Sequence, residues 1–305
     1  MDLFEEKGIN PMLIYEMQEA FDSDEYVYEL KWDGIRCIAY LDPDNGYTDL
    51  RNKRDFKLLP RIPELENLHK QVKQKCILDG ELIAFKNGAP DFYEIQRRAI
   101  LTDPFKIRIS ANSVPATYVA YDIIYLDDED VIWEPLMKRK ELLSEVVIEN
   151  DRIAVSRYIE KNGTYLFELA KQQNLEGIVA KDKESKYWFG KRSRDWIKVK
   201  YLKDADFVIC GYILKENNMT SLVIGNYTDN KLEYKGHVTL GVSLRKLNQY
   251  KYKKINESPF GYIPYGNEEA VWISPELICT VTYMPNENGS MRQPVLKSIH
   301  ESLKL

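Results

Sequence analysis

The sequence predicts an α+β domain followed by a small all-β barrel of the OB type. Three observations point there. Up to about residue 203, helical and strand signals are mixed, with no internal repeat and no low-complexity tract. After Lys203-Asp-Ala-Asp206 short strands dominate, and one helix falls between the third and fourth of five, as in a Greek-key barrel. The length of 305 residues suits two domains at about 150 residues each. The boundary is drawn at residue 203, giving domains 1–203 and 204–305. No long Gly/Pro linker is present, which implies a short hinge.

Each element follows from a period or a turn signal. Residues 26–32 alternate as a strand does, meet Gly34, and resume as a strand at 37–41. Residues 65–75 read as a helix with a polar face. Residues 76–85 read as a strand pair, or as one strand with an irregularity at Gly80. Helical spacing runs through 92–101, 137–147 and 164–173, and 118–125 is a buried strand. Residues 177–181 and 196–200 are short alternating strands. In the second domain the strands are 207–214, 221–227, 232–239, 270–274 and 277–284, with a helix over 243–255.

Composition bounds the class. Hydrophobic residues at 44% with 30% charged describe a globular chain rather than a disordered or membrane one. The acidic start Met1-Asp-Leu-Phe-Glu-Glu6 is unlike a secretory signal, and no run approaches the ~18 apolar residues of a spanning helix. A cytoplasmic location without membrane contact is expected. Cys37, Cys76, Cys210 and Cys279 are far apart and form no C-x-x-C pair, so buried reduced thiols are expected.

The formal net charge of −5 argues, as an average, against a nucleic-acid partner. The segments say otherwise. Residues 1–29 carry many acids against Lys7 alone, and 122–151 is also acidic. Residues 181–203 and 231–254 are basic, and Tyr187, Trp188, Phe189, Trp196 and Tyr201 are interleaved with the first of these runs. Basic residues with aromatics between them suit a phosphate-binding cleft. The basic blocks are expected to face DNA and the acidic ones to face away, with Lys186, Lys191, Arg192, Arg194 and Lys251 among the contacts.

The chemistry-bearing residues come in an ordered series. Lys31-Trp-Asp-Gly-Ile-Arg36 sets a lysine at a strand end beside a Gly turn, with an acid and an arginine close by. Alone, that is only suggestive. Arg51-Asn52 follows, then Asp79-Gly-Glu81, Ala120-Tyr-Asp-Ile-Ile-Tyr-Leu126, Glu176-Gly-Ile-Val-Ala-Lys181 and Trp196-Ile-Lys198-Val-Lys200. In this order and spacing the series resembles the collinear motifs of covalent nucleotidyltransferases, and of ATP-dependent DNA ligases in particular. The resemblance covers nearly the whole chain. It is nearest to small bacterial and phage ligases and to the ligase domain of the bacterial end-joining ligase D. Stretches beginning at Asp206 and Met291 are similar to that domain.

The resemblance implies a nucleotidyltransferase domain of ATP-grasp-like antiparallel sheets with helices, then an OB-fold. It implies ATP and Mg²⁺ or Mn²⁺ as cofactors, duplex DNA with a nick or broken ends as substrate, a Ku-like end-binding partner, and a monomer. Lys31 would attack the α-phosphorus of ATP. The AMP would pass to a 5′-phosphate, and a 3′-hydroxyl would then displace it. A free lysine, with pKa about 10.4, is neutral only about once in a thousand near neutrality, so neighbouring cations must help to release its proton. Lys198 and Lys200, two apart on one strand face, are assigned to the α-phosphate. Glu81 is assigned to the ribose or the metal, and Glu176 to the metal. Gly80 and Gly177 beside them would let backbone approach a ligand. Glu29 and Leu30 line the nucleotide pocket on the adenine side, and Asp33 and Gly34 order the Lys31 loop. Arg36 and Arg51 bind the nucleotide sugar, the phosphate or the nick. Tyr121 either stacks on adenine or is a core aromatic. His69, His237 and His300 form no cluster.

One departure stands out. The family's last motif, R-x-D-K, aligns with His300-Glu301-Ser302-Leu303, where three key residue types are absent. Lys297, Lys304 and Arg292 are the cations left that could substitute. Weakened self-adenylation is expected, with sealing by pre-adenylated enzyme less affected. Two other classes share features with this chain: an RNA-capping guanylyltransferase, and a non-catalytic DNA-end-binding protein with a decayed last motif.

Overall fold

The computed structural model describes residues 2–86, 88–216, 219–285 and 290–301. It divides into two compact units, Met1–Lys200 and Tyr201–Leu305. The first unit begins with α1 (Leu3–Glu6), β1 (Leu13–Met17), β2 (Tyr26–Leu30), β3 (Ile35–Asp42), β4 (Tyr47–Asn52), β5 (Cys76–Lys86) and β6 (Ala89–Pro90). It continues with α2 (Phe92–Ala99), α3 (Pro104–Ser113), β7 (Ala116–Leu126), β8 (Glu129–Asp130) and α4 (Leu136–Val146). It ends with β9 (Ile153–Val155), β10 (Tyr158–Glu160), α5 (Gly163–Gln172), β11 (Gly177–Asp182) and β12 (Arg192–Lys200).

These strands form two sheets. One has the order β1-β12-β11-β2-β10, the other β4-β3-β5-β7-β8. Alternation along each strand decides what each face buries. Tyr28, Ile178, Ala180, Ile197 and Val199 pack with Ala170 of α5 on one face of the first sheet. Val27 and Trp196, one residue out of phase, join Ile38, Tyr40, Ile77 and Ile124 of the second sheet in a shared core. The far face of the second sheet buries Cys37, Ala39, Leu41, Leu78 and Ala120 under Leu143 and Val146 of α4.

The second unit holds β13 (Lys203–Leu214), β14 (Thr220–Thr228), β15 (Lys231–Val238), α6 (Leu244–Leu247), β16 (Val271–Pro285) and β17 (Met291–Glu301), in the sheet order β15-β14-β13-β16-β17. A parallel bridge from Leu240 to Val295, with Leu296 N–H donating to Leu240 O at 2.9 Å, brings the chain after β15 to β17. Ile209, Leu222, Ile224, Val238, Cys279 and Leu296 fill the interior.

Several elements differ from expectation. Residues 65–75 form no α-helix; short 3₁₀ turns at Pro63–Leu65 and Leu68–Gln71 bury Leu65, Leu68 and Val72 instead. The helix expected over 243–255 stops after Leu247, and Lys254 pairs with Ile273 of β16. Tyr250 and Tyr252 alternate with lysines and pack on the barrel core, a strand-like period that wins over helix propensity. The strands expected at 270–274 and 277–284 are one strand, β16, whose register shifts where it passes Ile209 and Gly211. β1, β4, α3 and β17 carry too little periodicity in isolation to be read from the sequence.

The glycines beside the motif acids are packed closely against neighbouring strands. A Cβ on Gly177, whose φ is +140°, would lie 2.0 Å from Val199 O. A Cβ on Gly80 would lie 2.5 Å from Val119 O. At both positions the neighbouring strand leaves no room for a side chain.

Candidate active site

Strand register assembles the site. On the first sheet Val179 of β11 lies opposite both Glu29 of β2 and Lys198 of β12, and Lys198 lies opposite Glu16 of β1. One row further along, Lys31 N–H donates to Gly177 O at 2.9 Å and Gly177 pairs with Lys200. One row back lie Val27, Lys181 and Trp196. Residues directly opposite share a face, so Glu16, Glu29, Lys31, Lys181, Lys198 and Lys200 project from the same side of this sheet.

Lys31 Nζ lies 2.6 Å from Glu176 Oε2, with the lysine side chain 20% and the glutamate 6% exposed. The Lys31 ammonium is thus held on a largely buried carboxylate. Glu81, from β5, is the second acid here. Burial raises its pKa to about 8 and the negative charge of Glu176 adds to the shift, while Lys31 and Arg36 oppose it. Among the described residues the Glu81 carboxylate makes no hydrogen bond or ion pair. Burial depresses the Lys200 ammonium, and the neighbouring Lys198 charge depresses it further. Lys198 itself is paired with Glu16 at 2.8 Å.

Arg36, opposite Glu81 across the β3–β5 ladder, is held more firmly. Its Nε and Nη2 reach the buried Asp79 carboxylate at 3.0 and 2.5 Å, and Nη1 donates to Met12 O at 2.5 Å. The Tyr187 hydroxyl donates to Asp79 Oδ2 at 2.7 Å and accepts from Met12 N–H at 3.2 Å. Burial works against the Arg36 charge, but Asp79 outweighs it and raises the pKa well above the ordinary value.

Glu29 is buried between two lysines, with Lys140 Nζ at 2.5 Å and Lys181 Nζ at 2.9 Å. Burial alone would raise its pKa; the two ammonium charges reverse the sign and keep it an anion. Lys181 is lowered to about 8 by burial, against the pull of Glu29. Both lysines also donate to Tyr121 O, at 3.1 and 3.4 Å. The Tyr121 ring carries Lys181 Nζ at 4.5 Å and Arg36 at 5.8 Å from its centroid.

The structure places the remaining expected residues as follows. Arg51 is committed to carboxylates of its own hairpin, Asp49 and Asp55, each at 2.8 Å. Leu30 packs on the α5 side of the sheet, away from the charged face. Lys186 and Lys191 are exposed over Trp133 and Trp188, Arg192 donates to Ile14 O at 2.6 Å, and Arg194 lies over the Tyr15 ring. Lys251 is exposed in the second unit. Lys297 pairs with Asp204 at 2.6 Å. His300 and Glu301 lie on β17, whereas Ser302, Leu303 and Lys304 fall outside the described residues.

Acidic and basic blocks meet in the same sheet. β1 of the acidic block pairs in parallel with β12 of the basic block, and Lys161 and Lys183 pair with Asp24 and Glu160. Strand pairing makes neighbours of segments far apart in sequence, and opposite charges stabilise those pairs.

One residue that motif reading missed helps to build the site: Lys140, while Tyr187, read only as an aromatic of the basic run, holds Asp79. The signal for Lys140 is present in the sequence. Leu136, Arg139, Lys140, Leu143 and Val146 form one buried helical stripe on α4, and a charge in such a stripe needs a buried partner.

The donor set fits a hard divalent cation. Glu81 and Glu176 are two acids close enough for the Glu176 charge to raise the Glu81 pKa, and no group of three or more His, Cys, Asp or Glu that could hold a metal occurs among the described residues. Mg²⁺ is usually held by one or two carboxylates together with substrate phosphates, not by an all-protein cage. Also among the described residues, no helix is long and apolar enough to cross a membrane.

Comparison with known proteins agrees with this geometry. The model of the ATP dependent DNA ligase domain matches residues 11–200, and that of the ATP dependent DNA ligase C terminal region matches 215–302. The chain is 29% identical to the SPbeta prophage-derived DNA ligase-like protein LigB of Bacillus subtilis, over 95% of this chain and 98% of that one. It is 27% identical to DNA ligase C1 of Mycolicibacterium smegmatis, over 95% and 88%. With the multifunctional non-homologous end joining protein LigD of the same organism it shares 28% identity over 93% of this chain but 37% of that one. The fold is also that of a mycobacterial DNA ligase D complexed with ATP and MES, with a TM-score of 0.57 at 23% identity over 96% and 95% of the two chains. A Lig E DNA ligase superposes with a TM-score of 0.61 at 17% identity, over 94% of this chain and all of that one. The chain belongs to the ATP-dependent DNA ligase family.

Proposed function

We propose that this chain seals 5′-phosphate/3′-hydroxyl breaks in duplex DNA through an adenylate carried on Lys31. The observation that carries the reading is the row of Lys31, Gly177 and Lys200, with Glu176 on the lysine nitrogen at 2.6 Å. In the first step Lys31 Nζ attacks the α-phosphorus of ATP. An N–P bond forms, the bond to pyrophosphate breaks, and the lysine proton leaves. Glu176 Oε2 is at hydrogen-bond distance from that proton. Lys198 and Lys200 offset charge developing on the α-phosphate oxygens. Glu81 and Glu176 would hold Mg²⁺ or Mn²⁺, which supplies charge neutralisation at the phosphates when bound. In the second step a 5′-phosphate oxygen of the DNA displaces Lys31 from the adenylate. In the third, the 3′-hydroxyl attacks that phosphate and AMP leaves.

Glu29, Tyr121 and Arg36 form the nucleoside side of this proposal. Lys140 and Lys181 act as positioning residues, since both touch Glu29 and the Tyr121 carbonyl. Residues 1–200 take the adenylation role and the barrel the OB role. End joining is named for the LigD relatives; the proposal extends it here, with a cytoplasmic monomer acting beside a Ku-like end-binding partner. The test is a gel assay on nicked, gapped and blunt duplexes with ATP and either metal, together with labelling of Lys31 by ATP. Native chain should form lysyl-AMP and seal nicks. Sealing by Lys31→Ala would sink the mechanism.

A further inference from the structure

Two tryptophans on the first unit have no part in the reaction just described. Trp133 lies in the turn between β8 and α4 and is 58% exposed. Its indole meets that of Trp188 edge-on, with centroids 5.8 Å apart at 84°. Trp188 Nε1 donates to Asp195 Oδ2 at 3.0 Å, which fixes the orientation of the second indole. Lys186 Nζ stands 5.5 Å from the Trp133 centroid and Lys191 Nζ 5.2 Å from that of Trp188. Both lysines are exposed, and neither makes an ion pair among the described residues.

An exposed indole next to a second, oriented one is costly as mere surface, because tryptophan is normally well buried. Here each ring carries an ammonium group with no acidic partner. An exposed indole face beside unneutralised cations is what binds single-stranded nucleic acid: a base stacks on the ring, and the cations take the phosphates. A duplex offers phosphates but keeps its base faces stacked inside. Unpaired nucleotides offer both.

We propose that Trp133 and Trp188, with Lys186 and Lys191, form a stacking platform for unpaired nucleotides, such as a single-stranded tail beside a break. The proposal leans on the DNA-ligase reading only for the kind of nucleic acid involved.

The test uses the full chain and fluorescence anisotropy of a labelled oligothymidylate of about ten nucleotides. An abasic strand of equal length carries the phosphates without the bases. Native chain should bind the oligothymidylate about fivefold or more tightly than the abasic strand. Trp133→Ala should remove that preference and leave abasic binding unchanged. Trp133→Phe should restore part of it, since the ring face returns. Lys186→Gln should weaken both ligands alike. Equal binding of the two strands by native chain would overturn the proposal. So would unchanged oligothymidylate binding in Trp133→Ala, which would leave the pair as a protein-docking surface. Lysyl-AMP formation from labelled ATP, measured alongside, reads the ligase assignment separately: its absence in native chain sinks that assignment and leaves the platform result standing.

Discussion

Lys31 and Glu176 show how a single contact sets the state of this enzyme. Lys31 Nζ rests on the Glu176 carboxylate at 2.6 Å, which places that acid to take the lysine proton in the proposed attack. Glu176→Gln keeps the shape and removes both the charge and a metal ligand. Lysyl-AMP formation in this variant should fall about 10–100-fold, measured by single-turnover labelling; an unchanged rate would remove Glu176 from the mechanism. Lys181 gives a second residue-scale expectation, in stability. Burial holds its pKa near 8, below the ordinary 10.5, so the folded chain binds this proton less tightly than the unfolded one. Its contribution is therefore full above about pH 10.5, declines as pH falls toward 8, and is level below that. The change is about 3 kcal/mol. Denaturant titrations of native chain and Lys181→Met between pH 8 and 10 should show this slope only in the native chain.

Among the elements, α4 ties the two sheets of the first unit to the site. Its Arg139 makes paired hydrogen bonds to Asp122 of β7 at 2.8 and 2.9 Å, with both side chains fully buried. Removing one partner leaves a buried charge unpaired, so Arg139→Met should cost about 3–5 kcal/mol. Pairing it with Asp122→Leu should recover much of that loss, which a double-mutant cycle in urea would read. β11 offers the second case. Gly177→Ala combines a left-handed φ with a 2.0 Å approach to Val199 O, and should cost about 2–4 kcal/mol. A melting temperature equal to that of native chain would contradict it. Elements were legible where one face is buried over a sustained run. β7, α4 and α5 are of that kind, and each lies within a few residues of its expected span. The helices expected at 65–75 and 243–255 were not, because apolar spacing of three and four also serves 3₁₀ turns, and because tyrosines alternating with lysines belong to an edge segment.

At the scale of the whole molecule, a net charge of −5 coexists with a DNA substrate because charge is organised by contact and not by block. Nick affinity should still fall as salt rises, since phosphates are met by lysine and arginine. Lys186→Gln and Lys191→Gln should each lower the salt slope by about one, and unaltered slopes would place those lysines away from the duplex. The departure at His300–Leu303 carries a separate expectation. Lysyl-AMP should form more slowly than in a ligase with R-x-D-K, while sealing by pre-adenylated enzyme is less affected; equal adenylation rates would remove it.

The order and spacing of Lys31, Asp79-Gly-Glu81, Glu176 and Lys198-Val-Lys200 were enough to point to the family, because each motif is local in the chain. Alternation of apolar residues likewise determined which strand faces are buried. Only the tertiary structure decided what those groups touch. That Glu176 rather than solvent meets Lys31, that Glu29 lies between Lys140 and Lys181, and that acidic β1 lies against basic β12 all depend on strand register. Register is set by packing between segments more than a hundred residues apart, and no local pattern in the chain encodes it.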